Sequence, residues 1–228
     1  MTDTVFTKAK RVALFAGHYG SGKTNVAVNY AIGLKERGFD TCIADLDIVN
    51  PYFRTKDSED ELKAHGITLI SSEFAGSNVD LPALPGEVYS LIDIHDRHAV
   101  FDIGGDDRGA TALGRYSESI LKENDYELLL VVNRFRPLSR TPESAIEIMK
   151  EIETAANMRF TGIVNNSNLG AETEPEHVLS SLTYAKDISK LTGLPVRFTS
   201  VETRLYDKLK NEIPDLFPLR LQKRPVEL

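Results

Sequence analysis

Residues Gly17 to Thr24 read GHYGSGKT, directly after the apolar run Val12-Ala13-Leu14-Phe15-Ala16 and directly before a segment of helical pattern beginning near Thr24. A loop of the form G-x-x-x-x-G-K-[ST] between a strand and a helix is a phosphate-binding loop. Its glycines let the backbone N–H groups of Gly17, His18, Tyr19, Gly20, Ser21 and Gly22 converge on phosphate oxygens. Lys23 then reaches the outer phosphates, and the Thr24 hydroxyl is placed to ligate Mg²⁺ at a helix N-terminus that favours anions. The sequence therefore predicts a strand–loop–helix unit and a bound nucleoside triphosphate.

The rest of the chain repeats that unit. Short apolar runs rich in β-branched residues recur at 11–16, 41–45, 67–70, 98–103, 127–133, 160–165, 195–199 and 216–219, separated mostly by amphipathic segments of helical length. Such alternation predicts an α/β fold: a doubly wound, mainly parallel sheet of about seven to eight strands with helices on both faces. From Pro142, the residues Ala145, Met149, Ile152 and Ala156 share one helical face. A second helix is expected from Pro175 to Thr192, with Val178, Leu182, Ala185 and Ile188 inward and Gly193 as its stop. No stretch marks an internal boundary in the 228 residues, so a single domain over 1–228 is the expectation.

Composition excludes several classes of function. The net charge is −7, from 27 basic and 34 acidic side chains, and there is no basic run to track a nucleic-acid backbone. Cys42 is the one cysteine, which rules out an intramolecular disulfide or a four-cysteine metal site, and its apolar surroundings mark it as an inert core thiol. The N-terminal MTDTVFTKAKR lacks an apolar targeting region, and no run approaches the length of a membrane span. A cytoplasmic protein is expected.

Two strand ends carry acids. After the second strand, Asp45 and Asp47 leave the strand two residues apart, so both side chains point the same way, toward the metal and the water attacking the outer phosphate. Asp47 is assigned to the water and Asp45 to the surroundings of Mg²⁺. The fourth run ends in Asp102-Ile103-Gly104-Gly105, where Asp102 is the candidate holder of magnesium-bound water and the glycines form a candidate switch loop.

These three segments together resemble the MinD, ParA, Mrp and CooC-type nickel-insertion ATPases, a branch of the P-loop NTPases with a deviant phosphate loop, and the resemblance spans essentially the whole chain. It implies ATP as the nucleotide, an ATP-dependent homodimer, and a switch acting on a protein client, assembly or activation of a metalloenzyme being one such role. It also implies that Asn165 and Asn166, at the end of the 160–165 strand, contact adenine; no N-K-x-D guanine motif is visible. Val201 to Arg204 is a further candidate edge of the base pocket. One residue departs from the pattern. The family's signature lysine corresponds to His18 here, which leaves Arg54 or Arg108 as candidate substitutes. No C-x-x-C is present to hold an iron–sulfur cluster, and the C-terminus has no amphipathic membrane anchor. A small-molecule kinase or ligase of the dethiobiotin synthetase type, and a nucleotide-binding module with negligible hydrolysis, remain alternatives. The stretch from Ser71 to Glu87 reads as a surface loop, either client-facing or covering the sheet edge.

Overall fold

A computed structural model describes residues 3–47, 55–71, 86–93, 95–105 and 107–222. Its eight strands are β1 (Val12–Ala16), β2 (Thr41–Leu46), β3 (Thr68–Ser71), β4 (His98–Ile103), β5 (Tyr126–Val132), β6 (Gly162–Asn165), β7 (Val196–Glu202) and β8 (Leu216–Leu219). All join one sheet in the order β3-β2-β4-β1-β5-β6-β7-β8, and every pairing is parallel. The helices are α1 (Lys23–Glu36), α2 (Glu59–Ala64), α3 (Gly86–Asp93), α4 (Asp107–Gly114), α5 (Ser117–Glu123), α6 (Pro142–Ala156), α7 (Pro175–Thr192) and α8 (Thr203–Leu209).

The central strands read as unbroken apolar runs because both of their faces are covered. On β1, Val12, Leu14 and Ala16 enter the core beneath α3 to α7, while Ala13 and Phe15 enter the core beneath α1 and α2. The same parity runs through β2, β4 and β5: Cys42, Phe101 and Leu130 lie on one side, Ile43, Val100 and Leu129 on the other. A third, smaller cluster joins Val178, Val201, Leu205 and Leu216 at the β8 edge.

The expected α6 and α7 form over the predicted spans. Thr141 and Ser144 close a reciprocal cap at the start of α6, and Gly193 ends α7 at φ +75°. On α7, Leu182 is half-buried rather than inward. The expected loop from Ser71 to Glu87 is shorter than read: Ser71 closes β3 and Gly86 opens α3, and 72–85 lie outside the described residues. The candidate switch glycines, Gly104 and Gly105, stand between the end of β4 at Ile103 and the start of α4 at Asp107. No helix among the described residues is long and apolar enough to cross a membrane.

Candidate functional site

The site assembles at the carboxyl ends of β1, β2 and β4, where a parallel sheet exposes its strand termini. The loop from Gly17 to Gly22 leaves β1 and feeds α1. Gly22, in the left-handed conformation at φ +84°, stands at the helix N-cap and, as a glycine, has no side chain to cap the first turn. The leading N–H groups of α1 are therefore left for an anion. Gly22 has a second reason to be glycine: a Cβ there would stand 2.3 Å from Asn166 Nδ2.

The acids are brought together by register. Asp45 on β2 pairs with Asp102 on β4, and Phe15 on β1 pairs with Asp102 on its other side. Parity then puts the Asp45, Asp47 and Asp102 side chains on the α1 face, together with Ile43 and Val100. All three acids are buried. Lys23 Nζ lies 2.8 Å from Asp47 Oδ2, with both side chains 4% exposed. The Asp47 N–H donates to Asp45 Oδ1 at 3.0 Å, turning the chain out of β2.

Asp102 Oδ2 accepts from Thr24 Oγ1 at 2.6 Å and from Thr55 Oγ1 at 2.9 Å, whereas its Oδ1 is buried with no hydrogen-bond partner among the described residues. Burial pushes the Asp102 carboxyl up to about 6; the Lys23 charge and the two hydroxyl donors act the other way, and Asp47 adds to the rise. For Lys23, burial favours loss of the proton, yet the charges of Asp47, Asp102 and Asp45 outweigh it and raise the pKa. The site is thus a buried cluster of three carboxylates around one ammonium.

A Mg²⁺ ion fits this donor set. Among the described residues no cluster of three or more His, Cys, Asp or Glu stands ready as a protein cage. Mg²⁺ does not require one, since it is ordinarily held by one or two protein oxygens, phosphate and water. The Thr24 hydroxyl beside Asp102, with the unpartnered Oδ1, supplies that kind of partial shell.

The glycine after β4 touches the phosphate loop directly. A Cβ on Gly105 would fall 2.3 Å from Gly17 O and 2.8 Å from Tyr19 N. The segment following Asp102 therefore lies on the loop backbone. Of the other sequence candidates, His18 Nδ1 donates to Tyr19 O at 2.8 Å, and Tyr19 is 56% exposed. Arg54 and the Arg108 side chain lie outside the described residues.

The two asparagines expected at the base are occupied inside the protein. Asn165 Nδ2 donates to Ser181 Oγ at 2.9 Å, and its Oδ1 accepts from Ser167 Oγ at 2.7 Å. Asn166 Nδ2 donates to Ser21 O at 2.7 Å, and its Oδ1 accepts from Ser200 Oγ at 2.7 Å. A cavity of about 10 Å³ beside them is lined by Asn166, Ser167, Asn168, Val201 and Glu202, among others. Thr55 and Arg136 were not singled out by sequence. Thr55 carries no motif, and Arg136 is visible only as one cation in Asn133-Arg134-Phe135-Arg136 after β5.

Sheet, loop and strand-end acids define the fold of the P-loop nucleotide-binding proteins. FtsY from Mycoplasma mycoides superposes with a TM-score of 0.56 at 19% identity, over 83% of this chain and 59% of that one. The cell division protein FtsY of Thermotoga maritima gives 0.54 at 17% identity, over 83% and 61%. The signal recognition particle receptor FtsY of Elizabethkingia anophelis, solved in complex with GDP, gives 0.51 at 17% identity, over 83% and 57%. The chain thus spans about six-tenths of the length of these neighbours, and the likeness is one of fold. No protein-family model matches the sequence, and no curated protein is similar enough to match it.

Proposed function

We propose that residues 1–228 form one nucleotide-binding unit that takes Mg-ATP in the Gly17–Thr24 loop, hydrolyses it, and works as a nucleotide-dependent switch on a protein client. The observation that carries this reading is the buried Lys23–Asp47 pair beside the Thr24–Asp102–Thr55 hydrogen bonds. The lysine, hydroxyl and acids that a triphosphate and Mg²⁺ require already converge at an uncapped helix N-terminus. Lys23 would hold the outer phosphates, Thr24 and Asp102 the Mg²⁺ and its water, with Asp45 beside them, and Asp47 would orient the attacking water. Bound Mg²⁺ would draw charge from the phosphate oxygens during transfer.

The switch reading is supported by Gly105, because a segment pressed onto the phosphate loop must respond when the loop fills. ATP is favoured over GTP by the lack of an N-K-x-D motif in the sequence, since the Asn165 and Asn166 amides are held by Ser181, Ser167, Ser21 and Ser200. Activation of a metalloenzyme is one client role consistent with the family resemblance, and an ATP-dependent homodimer is the state in which the switch would act.

The test is titration with fluorescent ATP and GTP analogues in Mg²⁺, alongside light scattering with and without a slowly hydrolysed ATP analogue. ATP binding that Lys23→Ala abolishes, with a monomer becoming a dimer on the analogue, is the expected result. A wild-type chain that binds neither nucleotide overturns the reading.

A further inference from the structure

Among the described residues, the candidate site is short of positive charge. Three buried carboxylates, Asp45, Asp47 and Asp102, surround the single ammonium of Lys23. A Mg²⁺ ion would only balance the acids, leaving the charge of a triphosphate to the loop N–H groups and the helix N-terminus. Such sites stabilise phosphate charge with an added cation. His18 has one ring nitrogen engaged already, its Nδ1 donating to Tyr19 O.

Arg136 brings a cation onto the phosphate-loop backbone. It lies just beyond β5, the strand beside β1, and its Nε donates to Gly20 O at 2.7 Å. Gly20 is at φ +77°, and the arginine crosses the side of Gly20 that a Cβ would occupy, with Nε 3.5 Å and Cζ 3.9 Å from that point. The Arg136 backbone is held in place. Its N–H donates to Asn133 O at 3.1 Å, and Ser139 Oγ donates to the same carbonyl at 3.0 Å. Asn133, 1% exposed, is fixed in turn by donation from its Nδ2 to Asn168 O at 3.1 Å.

Among the described residues, Arg136 is the cation whose side chain hydrogen-bonds to the phosphate-loop backbone, and its terminal amino groups have no partner there. Neighbouring Arg134 is committed elsewhere, donating to Ser180 O. We infer that Arg136 is a phosphate-binding residue: anchored on Gly20 through Nε, it turns its terminal amino groups to the outer phosphate of a triphosphate held in the loop. A guanidinium suits this double task, because its planar fork can hold a carbonyl with one N–H and phosphate oxygens with others.

This inference rests on the nucleotide-binding reading, and the experiment separates the two. Affinities for a slowly hydrolysed triphosphate and for the matching diphosphate are measured with Mg²⁺ on the wild-type chain, Arg136→Ala, Arg136→Lys and Lys23→Ala, with the melting temperature of each nucleotide-free variant as a folding control. The expected result is a triphosphate Kd raised about tenfold in Arg136→Ala, a diphosphate Kd raised less than about threefold, and an intermediate value for Arg136→Lys. Equal losses for both nucleotides, meaning Arg136 only braces Gly20, overturn the inference. So does unchanged affinity in Arg136→Ala while Lys23→Ala abolishes binding, a result that leaves the nucleotide-binding reading intact. A wild-type chain that binds neither nucleotide overturns both.

Discussion

Lys23 Nζ and Asp47 Oδ2 form a buried ion pair at 2.8 Å, so the lysine expected on phosphate is held by the carboxylate expected on water. One contact has to open before either group can do its part. Asp47→Asn removes the competing charge and keeps the shape. The expected outcome is nucleotide affinity equal to or tighter than wild type, with hydrolysis lowered by about a hundredfold. Unchanged hydrolysis in a single-turnover assay would remove Asp47 from the proposed mechanism.

Lys23→Ala has the opposite character. It leaves three buried carboxylates without their ammonium, and breaking a buried pair from one side costs on the order of 3–5 kcal/mol. Denaturant unfolding should show a loss of that order together with loss of nucleotide binding. The double variant Lys23→Ala, Asp47→Asn should recover part of the stability and none of the binding. A double variant no more stable than Lys23→Ala would mean that the pair carries no coupling.

Gly105→Ala tests the contact between the segment after β4 and the phosphate loop. Its Cβ would lie 2.3 Å from Gly17 O, and neither partner is a side chain that can swing aside. Triphosphate affinity is expected to fall by about tenfold or more, with the circular dichroism spectrum unchanged. Wild-type affinity would show that this segment moves independently of the loop.

Thr55→Val removes one of the two hydroxyl donors to Asp102 Oδ2 and leaves Thr24 in place. A hydrogen bond to a buried charged group contributes about 1.5–3 kcal/mol, so the melting temperature should drop. The Mg²⁺ concentration needed for half-maximal nucleotide binding should also change, because Asp102 is the acid that loses support. A shift in stability alone would restrict Thr55 to holding the loop.

The frame of this site was legible in the sequence because several signals agreed. β1, β2, β4 and β5 are buried on both faces and so appear as continuous apolar runs, and the phosphate loop carries its own spacing. Period-two geometry was enough to set Asp45 and Asp47 on one side, and parallel register added Asp102 beside them. What escaped was cross-chain. Thr55 reaches Asp102 across 47 positions and Arg136 reaches Gly20 across 116, and neither contact leaves a periodic trace. The amides of Asn165 and Asn166 looked free for a base because sequence shows a side chain's capacity for hydrogen bonds and not whether Ser181, Ser21 or Ser200 has already used it.

Cys42 gives a pH prediction away from the site. Its thiol is fully buried and donates to His98 O at 3.4 Å, and burial pushes its pKa from 9.0 to about 11. A raised thiol pKa leaves stability unaffected while both states are protonated, below about 9. Between about 9 and 11 the unfolded chain releases a proton that the folded chain keeps, so stability falls as pH rises through that window. Cys42→Ala should flatten this part of the stability curve. At pH 8 a thiol reagent should label the native protein only at the rate of unfolding, and fast labelling would contradict the buried placement.

The asparagines at the end of β6 separate two kinds of influence on nucleotide binding. A residue that reads the base changes the ratio of ATP to GTP affinity when it is truncated. A residue that shapes the loop lowers both affinities and leaves the ratio alone. Asn166 ties Ser21 in the phosphate loop to Ser200 on β7 with two bonds of 2.7 Å, and its amide nitrogen fills the space that Gly22 leaves open. Asn166→Ala should therefore weaken both nucleotides by about tenfold, with their ratio unchanged within about twofold, as expected when a buried group supporting Ser21 O is lost. Asn165 spends its side-chain hydrogen bonds on Ser181 and Ser167 rather than on the phosphate loop, so Asn165→Ala should act on stability more than on affinity. A ratio that moves strongly in either variant would mean that these amides exchange their internal partners for the base when nucleotide binds, and would restore adenine contact to Asn165 or Asn166.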